Sequence, residues 1–195
     1  MRVLRATLFF LTVFCLCVVF SRSLSANDTL VEERGHTPYP LNTDRIKDVV
    51  ENFCELDAQG QRLQGDTWSL NVAPLITWPE EAGDMIFVIS SYEVGKAEIL
   101  NSKARVSVKY RYLGSTNFID FSSPGKDLRQ ERIVVFELAR IDGTWKIKGP
   151  ITAPHVNWKV VIADLKALQH EEPQRKEQIG ILIKKIEKAA KGSRQ

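Results

Sequence analysis

Side chains able to do acid–base chemistry are few and widely spaced in this sequence of 195 residues. Asp120 lies among aromatic residues in the segment 117–121, where desolvation would raise its pKa toward that of a general base. His155 follows Pro154 near the end of the predicted sheet and would suit a proton shuttle at a pocket mouth. A solvated Asp and a His bonded to loop backbone are the simpler interpretations, so we assign neither residue a catalytic role.

A second candidate site is aromatic. Tyr92, Tyr110, Tyr112 and Trp145 fall on predicted strands and together would line an apolar pocket with polar tips. Aromatic residues are also enriched in strands for packing alone, so ordinary sheet core is the simpler alternative.

Signatures of metals, cofactors and nucleophilic catalysis are not found in the sequence. The three His and the single Cys beyond residue 17, Cys54, lack the spacing of metal ligands. The sequence contains no P-loop, no dinucleotide fingerprint and no G-x-S-x-G. We therefore expect no metal and no cofactor, and a packed free thiol at Cys54.

The N-terminus is typical of a secretory signal. Arg2 and Arg5 precede an apolar stretch over residues 6–20, and small residues allow cleavage near Ser25 or Ala26. We expect a periplasmic or secreted protein. The alternative is a membrane anchor formed by an uncleaved N-terminus, although 15 apolar residues fall short of the about 20 that span a bilayer.

The charge distribution argues against nucleic-acid binding. Three arginines at positions 2, 5 and 22 account for the formal net charge of +3, so the chain beyond residue 26 is balanced. Residues 166–195 are basic, with 8 Lys or Arg against 4 Asp or Glu, whereas the body offers no broad basic surface.

The predicted domain order is a signal peptide (1–26), a flexible polar arm (27–42), an α+β domain (43–157) and a helical extension (158–195). A helix is predicted from Thr43 to about Gly60, because Ile46, Val50 and Phe53 recur on one face. Strands are predicted over 85–99, 104–113 and 118–121. Arg105, Lys109 and Arg111 form a basic row along the second strand, which we expect to be a solvated face paired with Glu98 or Glu137. The alternative is that this row binds an acidic ligand or partner.

The clearest element is a hairpin over residues 132–148. Asp142-Gly143 suits a two-residue type I′ turn, in which both positions have positive φ. That turn places Leu138 opposite Ile147 and Glu137 opposite Lys148, and it puts Phe136, Leu138, Trp145 and Ile147 on one face.

Two helices are predicted after the hairpin, over 158–169 and 174–191, with Pro173 between them. The second has an apolar stripe opposite Lys184, Lys188 and Lys191. Such a helix packs on its own sheet, lies on an anionic membrane or docks on a partner, so membrane contact through residues 174–191 remains open.

The order of one helical region followed by a long curved antiparallel sheet resembles the nuclear transport factor two-like superfamily, which includes ketosteroid isomerases and SnoaL-type cyclases. The best-matching residues are 134–138 and 142–147. The resemblance covers about residues 43–150 and implies a cone-shaped α+β fold. It implies no chemistry, because functions differ within a shared fold.

Three functions follow as hypotheses. The first is an exported, non-enzymatic module that binds a small apolar ligand or a protein partner, with a homodimer as one form of assembly. The second is a small lyase or isomerase that uses Asp120, His155 and a Tyr as acid–base groups in the cone. The third is an assembly or membrane-surface protein that acts through the basic C-terminal helix.

Overall fold

A computed structural model describes residues 43–79, 83–100, 102–124 and 131–193. The predicted signal peptide and arm lie outside the described residues. The fold is α+β, with a strongly curled, cone-like sheet and a helical C-terminal extension, as expected. The helices are α1 (Thr43–Ala58), α2 (Gly65–Thr67), α3 (Trp158–Glu171) and α4 (Lys176–Gly192), and short irregular helical turns fill residues 61–75.

The described strands form one sheet. They are β1 (Ile86–Leu100), β2 (Lys103–Thr116), β3 (Phe121–Ser122), β4 (Glu131–Ile141), β5 (Thr144–Gly149) and β6 (His155–Asn157). Their order is β5-β4-β2-β1-β6, and β3 pairs with the end of β2. All pairs are antiparallel except β1 with β6. The sheet is thus antiparallel over most of its width, and a short parallel strand closes one edge.

The hairpin formed by β4 and β5 has the predicted turn. Asp142 and Gly143 both have positive φ, 49° and 81°, as a type I′ turn requires. Leu138 pairs with Ile147 as predicted. The predicted pairing of Glu137 with Lys148 is wrong, because an irregularity between Glu137 and Leu138 shifts the register and places Glu137 opposite Gly149. Glu137 instead accepts a hydrogen bond from Arg105 at 2.8 Å, one of the two partners expected for the basic row.

The predicted strand over 118–121 is also corrected. Only Phe121 and Ser122 pair with β2, because Phe118 has a φ of 63° and belongs to a turn. Asn117 and Thr116 stabilise that turn by accepting backbone N–H bonds from residues 118–120. Side chains that bond their own backbone favour turns over strands.

An interior core lies between α1 and the concave face of the sheet. The apolar face of α1 is buried there with the inner side chains of β1, β2, β4 and β5, and with Trp68 and Trp78 from the segment after α1. Phe53 is central, because its ring contacts Trp78 at 6.2 Å and Phe136 at 5.5 Å between centroids, both edge to face. The cone is therefore filled by side chains along much of its length.

A second core lies on the opposite face of the sheet, beneath α3 and α4. Ile86, Val88 and Leu113 supply its sheet side. The apolar stripe of α4 is buried against them, and it consists of Ile179, Leu182, Ile183, Ile186 and Ala190. The C-terminal helix thus packs on its own sheet, one of the arrangements left open by the sequence.

In the described part of the chain, no helix is both long and apolar enough to cross a membrane.

Replacing Ile186, which is 0% exposed, by Ala should lower the free energy of unfolding by about 2–5 kcal/mol through lost burial and a cavity. Ile181→Ala is the matched control on the same helix, because Ile181 is 51% exposed and should cost less than about 0.5 kcal/mol. Urea unfolding followed by circular dichroism measures both. Equal effects of the two substitutions would mean that α4 does not dock as described.

Candidate functional site

The interior cluster is a group of four buried polar residues: Asp57, Arg62, Tyr112 and His155. Asp57 lies in the last turn of α1, and Arg62 follows it in the next helical turn. An Arg62 Nη1 lies 3.4 Å from both carboxylate oxygens of Asp57, and the two side chains are 4% and 1% exposed. Arg62 Nη2 donates to the carbonyl of Thr152 at 2.8 Å. The ion pair therefore joins the end of α1 to the segment before β6.

His155 occupies the centre of the interior cluster and is 1% exposed. Its backbone N–H donates to Asp57 Oδ2 at 3.0 Å, and its Nε2 lies 2.5 Å from the Tyr112 hydroxyl. Nδ1 faces Asp57 Oδ2 at 3.4 Å but forms no hydrogen bond within the described residues. A proton on Nδ1 would face the carboxylate, and Nε2 would then accept a hydrogen bond from the Tyr112 hydroxyl. Asp57, His155 and Tyr112 therefore form a line of adjacent titratable groups.

Aromatic rings enclose this line. Tyr110 stacks on the His155 ring at 4.1 Å with an interplanar angle of 15°, and Phe87 lies 5.3 Å away. Burial raises the pKa of Tyr112 to about 12, and Arg132 opposes part of that increase. The Arg132 guanidinium lies 5.0 Å from the Tyr112 centroid and 5.7 Å from that of Phe87. At neutral pH the Tyr112 hydroxyl therefore keeps its proton.

Cys54 lies beside the cluster, 1% exposed, with its Sγ 3.3 Å from the Tyr110 hydroxyl. Burial raises the pKa of this thiol to about 12 and also raises the pKa of Tyr110. A thiol without thiolate character is a poor nucleophile. Cys54 is a packed free thiol, as expected from its position on the apolar face of α1.

The four residues predicted to line an aromatic pocket lie along the interior core. Tyr110 and Tyr112 are buried, whereas Tyr92 is half-buried and donates to Glu55 at 2.8 Å. Burial and that carboxylate raise the pKa of Tyr92. Trp145 is partly buried against the same core. The rings of Tyr92, Tyr110 and Tyr112 follow one another at 6.3 and 6.1 Å, so they form a ribbon along the concave face.

Asp120 lies elsewhere. It is exposed and pairs with Lys185 of α4 at 2.9 Å, and it also accepts the Phe121 N–H at 2.8 Å. Bonds to Lys185 and to the Phe121 backbone lower the pKa of Asp120. The expectation of a raised pKa is thus wrong, because the neighbouring aromatic side chains do not desolvate the carboxylate. The structure brings His155 to a Tyr hydroxyl but leaves Asp120 with α4.

A groove runs between α4 and the segment that carries β3. We call it the α4 groove, and its volume is about 470 Å³. Leu113, Phe121 and Ala189 supply apolar surface, while Lys185 and Lys188 add positive charge. Gly114 allows β2 and the β3 segment to approach closely beside the groove. A Cβ at this position would come within 2.6 Å of the Phe121 ring and would also meet the Ser122 carbonyl. Its φ of 155° adds to the reason why glycine occupies this position.

Potential metal ligands do not converge in the described ranges: no group of three or more His, Cys, Asp and Glu side chains could hold an ion.

Comparison with protein-family models and with curated proteins finds no match.

Asp57, Arg62 and Arg132, in and beside the interior cluster, were not singled out from the sequence, and neither were Lys185 and Ala189 of the α4 groove. Asp57 carried a usable signal, because it follows Ile46, Val50, Phe53 and Cys54 on the buried face of α1. A carboxylate at such a position predicts a buried partner. Arg62 and Arg132 gave no comparable signal, because the Thr152 carbonyl that Arg62 bonds and the Tyr112 ring beside Arg132 are 90 and 20 residues away in the chain.

Asp57→Ala should lower the free energy of unfolding by about 3–5 kcal/mol, because it leaves Arg62 buried without a counter-charge. Arg62→Met removes the other charge and keeps an apolar stem. The double variant should lose less than the sum of the single losses, since neither charge is then unpaired. Additive losses in urea titrations would contradict a coupled ion pair.

Stability should also fall at alkaline pH. The pKa of Cys54 rises from 9.0 to about 12 in the folded chain, so the folded state holds a proton that the unfolded state releases above pH 9. The Cys54 contribution is complete below pH 9 and is lost at about 1.4 kcal/mol per pH unit above it. Cys54→Ser should flatten the stability curve between pH 9 and 10.5. Parallel curves for the two proteins would contradict the burial of this thiol.

Proposed function

We propose that the chain is an exported, non-enzymatic binding module of the cone-like α+β type, and that its ligand is a small, mainly apolar molecule held in the α4 groove. The single observation that carries this proposal is the groove itself. Its volume of about 470 Å³ lies within the range of small-molecule sites, and its lining combines apolar side chains with two placed charges.

Rigid walls favour this assignment. Leu113 and Phe121 are 2% and 7% exposed, so the sheet holds them in place before any ligand arrives. On the opposite wall, α4 is fixed by five buried apolar residues. A preformed site loses little conformational entropy when it binds, and binding is tighter as a result.

The interior core is a poorer place for a ligand. Phe53, Phe136 and Tyr110 are at most 1% exposed and pack against one another or against the cluster. The hydroxyl of Tyr112 and Nε2 of His155 are already bonded to each other. A molecule entering the cone would therefore have to displace packed side chains and break that bond.

A second candidate function is acid–base catalysis as a lyase or isomerase, and the line of Asp57, His155 and Tyr112 favours it. In such an enzyme Asp57 would orient His155, and Tyr112 would exchange a proton with the substrate. The exposed guanidinium of Arg132, over the Tyr112 ring, would bind an acidic substrate at the mouth of the cone. The roles expected of Asp120 would then belong to Asp57.

A membrane-surface role for α4 has weaker support. Its apolar stripe is buried on the sheet, so the helix would have to leave the second core to enter a membrane interface. The lysines that remain outside suit recognition of a ligand charge without that rearrangement.

Native mass spectrometry of protein purified from an exporting host tests the proposal. We expect a bound mass that disappears on denaturation. Ala189→Phe should abolish it by filling the groove, whereas the matched control Ala167→Phe, on an exposed position of α3, should retain it.

Retention of the bound mass in Ala189→Phe would contradict the α4 groove as the site. A bound molecule that changes mass on incubation, and does so only while His155 is intact, would favour the enzymatic candidate instead.

A further inference from the structure

We propose that the ligand of the α4 groove carries a single anionic group on an apolar body, that Lys185 and Lys188 bind this group, and that Asp120 competes with it for Lys185. This inference rests on the proposed binding function and specifies the chemical class of the ligand. Asp120 then acts as an internal substitute for the ligand's own anion.

The first observation is that Lys188 offers a positive charge at the groove. It is exposed, it lines the groove, and within the described part of the chain it has no ion-pair or hydrogen-bond partner. Many surface lysines are solvated in this way, but this one lies at a groove whose floor is apolar. An anionic group on a ligand that buries its apolar part at Phe121 and Ala189 would lie within reach of its ammonium group.

The second observation is the position of Lys185 between two cavities. It lies one helical turn before Ala189 and lines two cavities, the α4 groove and an adjoining one of about 290 Å³. The adjoining cavity includes Ile119 and Ile181, which are 59% and 51% exposed. A cation between two apolar surfaces is suited to an anionic amphiphile. The anionic group of the ligand can pair with the cation, and its apolar part can be buried against the apolar surface on either side.

The third observation is the exposed ion pair between Asp120 and Lys185. Its carboxylate already pairs with Lys185 at 2.9 Å, and both side chains are at least half exposed. Exposed ion pairs contribute little stability, so an incoming anion displaces Asp120 at small cost. Asp120 remains fixed near the site, because the Phe121 N–H holds its Oδ1 at 2.8 Å. Its bonds to Lys185 and Phe121 lower its pKa, so it stays charged and repels a ligand anion.

The competition predicts an increase in affinity on mutation. Asp120→Asn keeps an oxygen that accepts the Phe121 N–H, removes the charge and frees Lys185. Binding of sodium decanoate should become about two- to five-fold tighter, while binding of the neutral 1-decanol should not change.

Lys188→Gln should weaken decanoate binding by about two- to five-fold. Lys184→Gln, which removes an exposed charge on α4 outside the groove, is the matched control.

Isothermal titration calorimetry of the whole protein with both probes measures these effects, and circular dichroism checks that each variant is folded. Raising the salt concentration should weaken decanoate binding selectively, because salt screens exposed charges. Equal affinity for decanoate and decanol in every variant would overturn the anionic assignment and leave the binding function intact. Failure of both probes to bind would overturn the proposed function as well.

Vesicles of phosphatidylglycerol distinguish a free amphiphile from a lipid surface. The proposal expects decanoate binding in solution and no stronger retention of the protein on these vesicles than on neutral phosphatidylcholine vesicles. Vesicle binding that requires Lys188, without decanoate binding, would assign the lysines to a membrane surface and overturn the proposal.

Discussion

The buried pair of Asp57 and Arg62 is the interaction on which the rest of the structure depends. Two charges are removed from water and face each other, and each also bonds a group distant in sequence: Arg62 the Thr152 carbonyl and Asp57 the His155 backbone N–H. Because an unpaired buried charge is strongly unfavourable, the end of α1 and the start of β6 must stay together. β6 in turn pairs with β1 and leads directly into α3. A polar contact inside the cone thus fixes where the helices on the other face begin.

The sheet therefore separates two regions with different roles. On its concave face, aromatic side chains and the interior cluster satisfy one another and form a packed core. On the opposite face, α3 and α4 cover only part of the sheet, and the α4 groove remains between the helix and the β3 segment. The two regions meet within β2, where Tyr112 packs inside the cone, the next residue, Leu113, packs beneath the helices, and both residues line the α4 groove. Adjacent residues of one strand thus serve the core and the proposed site.

Much of the fold was predictable, because local patterns control it. The turn at Asp142-Gly143, the alternation along β2 and the apolar stripe of α4 each follow from periodicity or turn chemistry. The predictions from the sequence were wrong where contacts between residues distant in the chain determine the strand register or the pKa. The register shifts between Glu137 and Leu138, away from the turn that sets the rest of the hairpin, and the lowered pKa of Asp120 depends on Lys185, 65 residues away. The arrangement of the site residues was harder to predict. His155 and Tyr112 were each identified from the sequence, but no local pattern indicates that His155 Nε2 lies 2.5 Å from the Tyr112 hydroxyl.

In the proposed binding function, the ligand binds on the helix-covered face of the sheet and the cone interior is packed core. Amide chemical-shift changes during titration of isotope-labelled protein with decanoate test this assignment most directly. We expect the changes to concentrate at Leu113, Phe121 and Ala189 and to leave Phe87, His155 and Arg132 unaffected. Changes centred on Phe87, His155 and Arg132 would contradict that assignment and would place the functional site at the interior cluster.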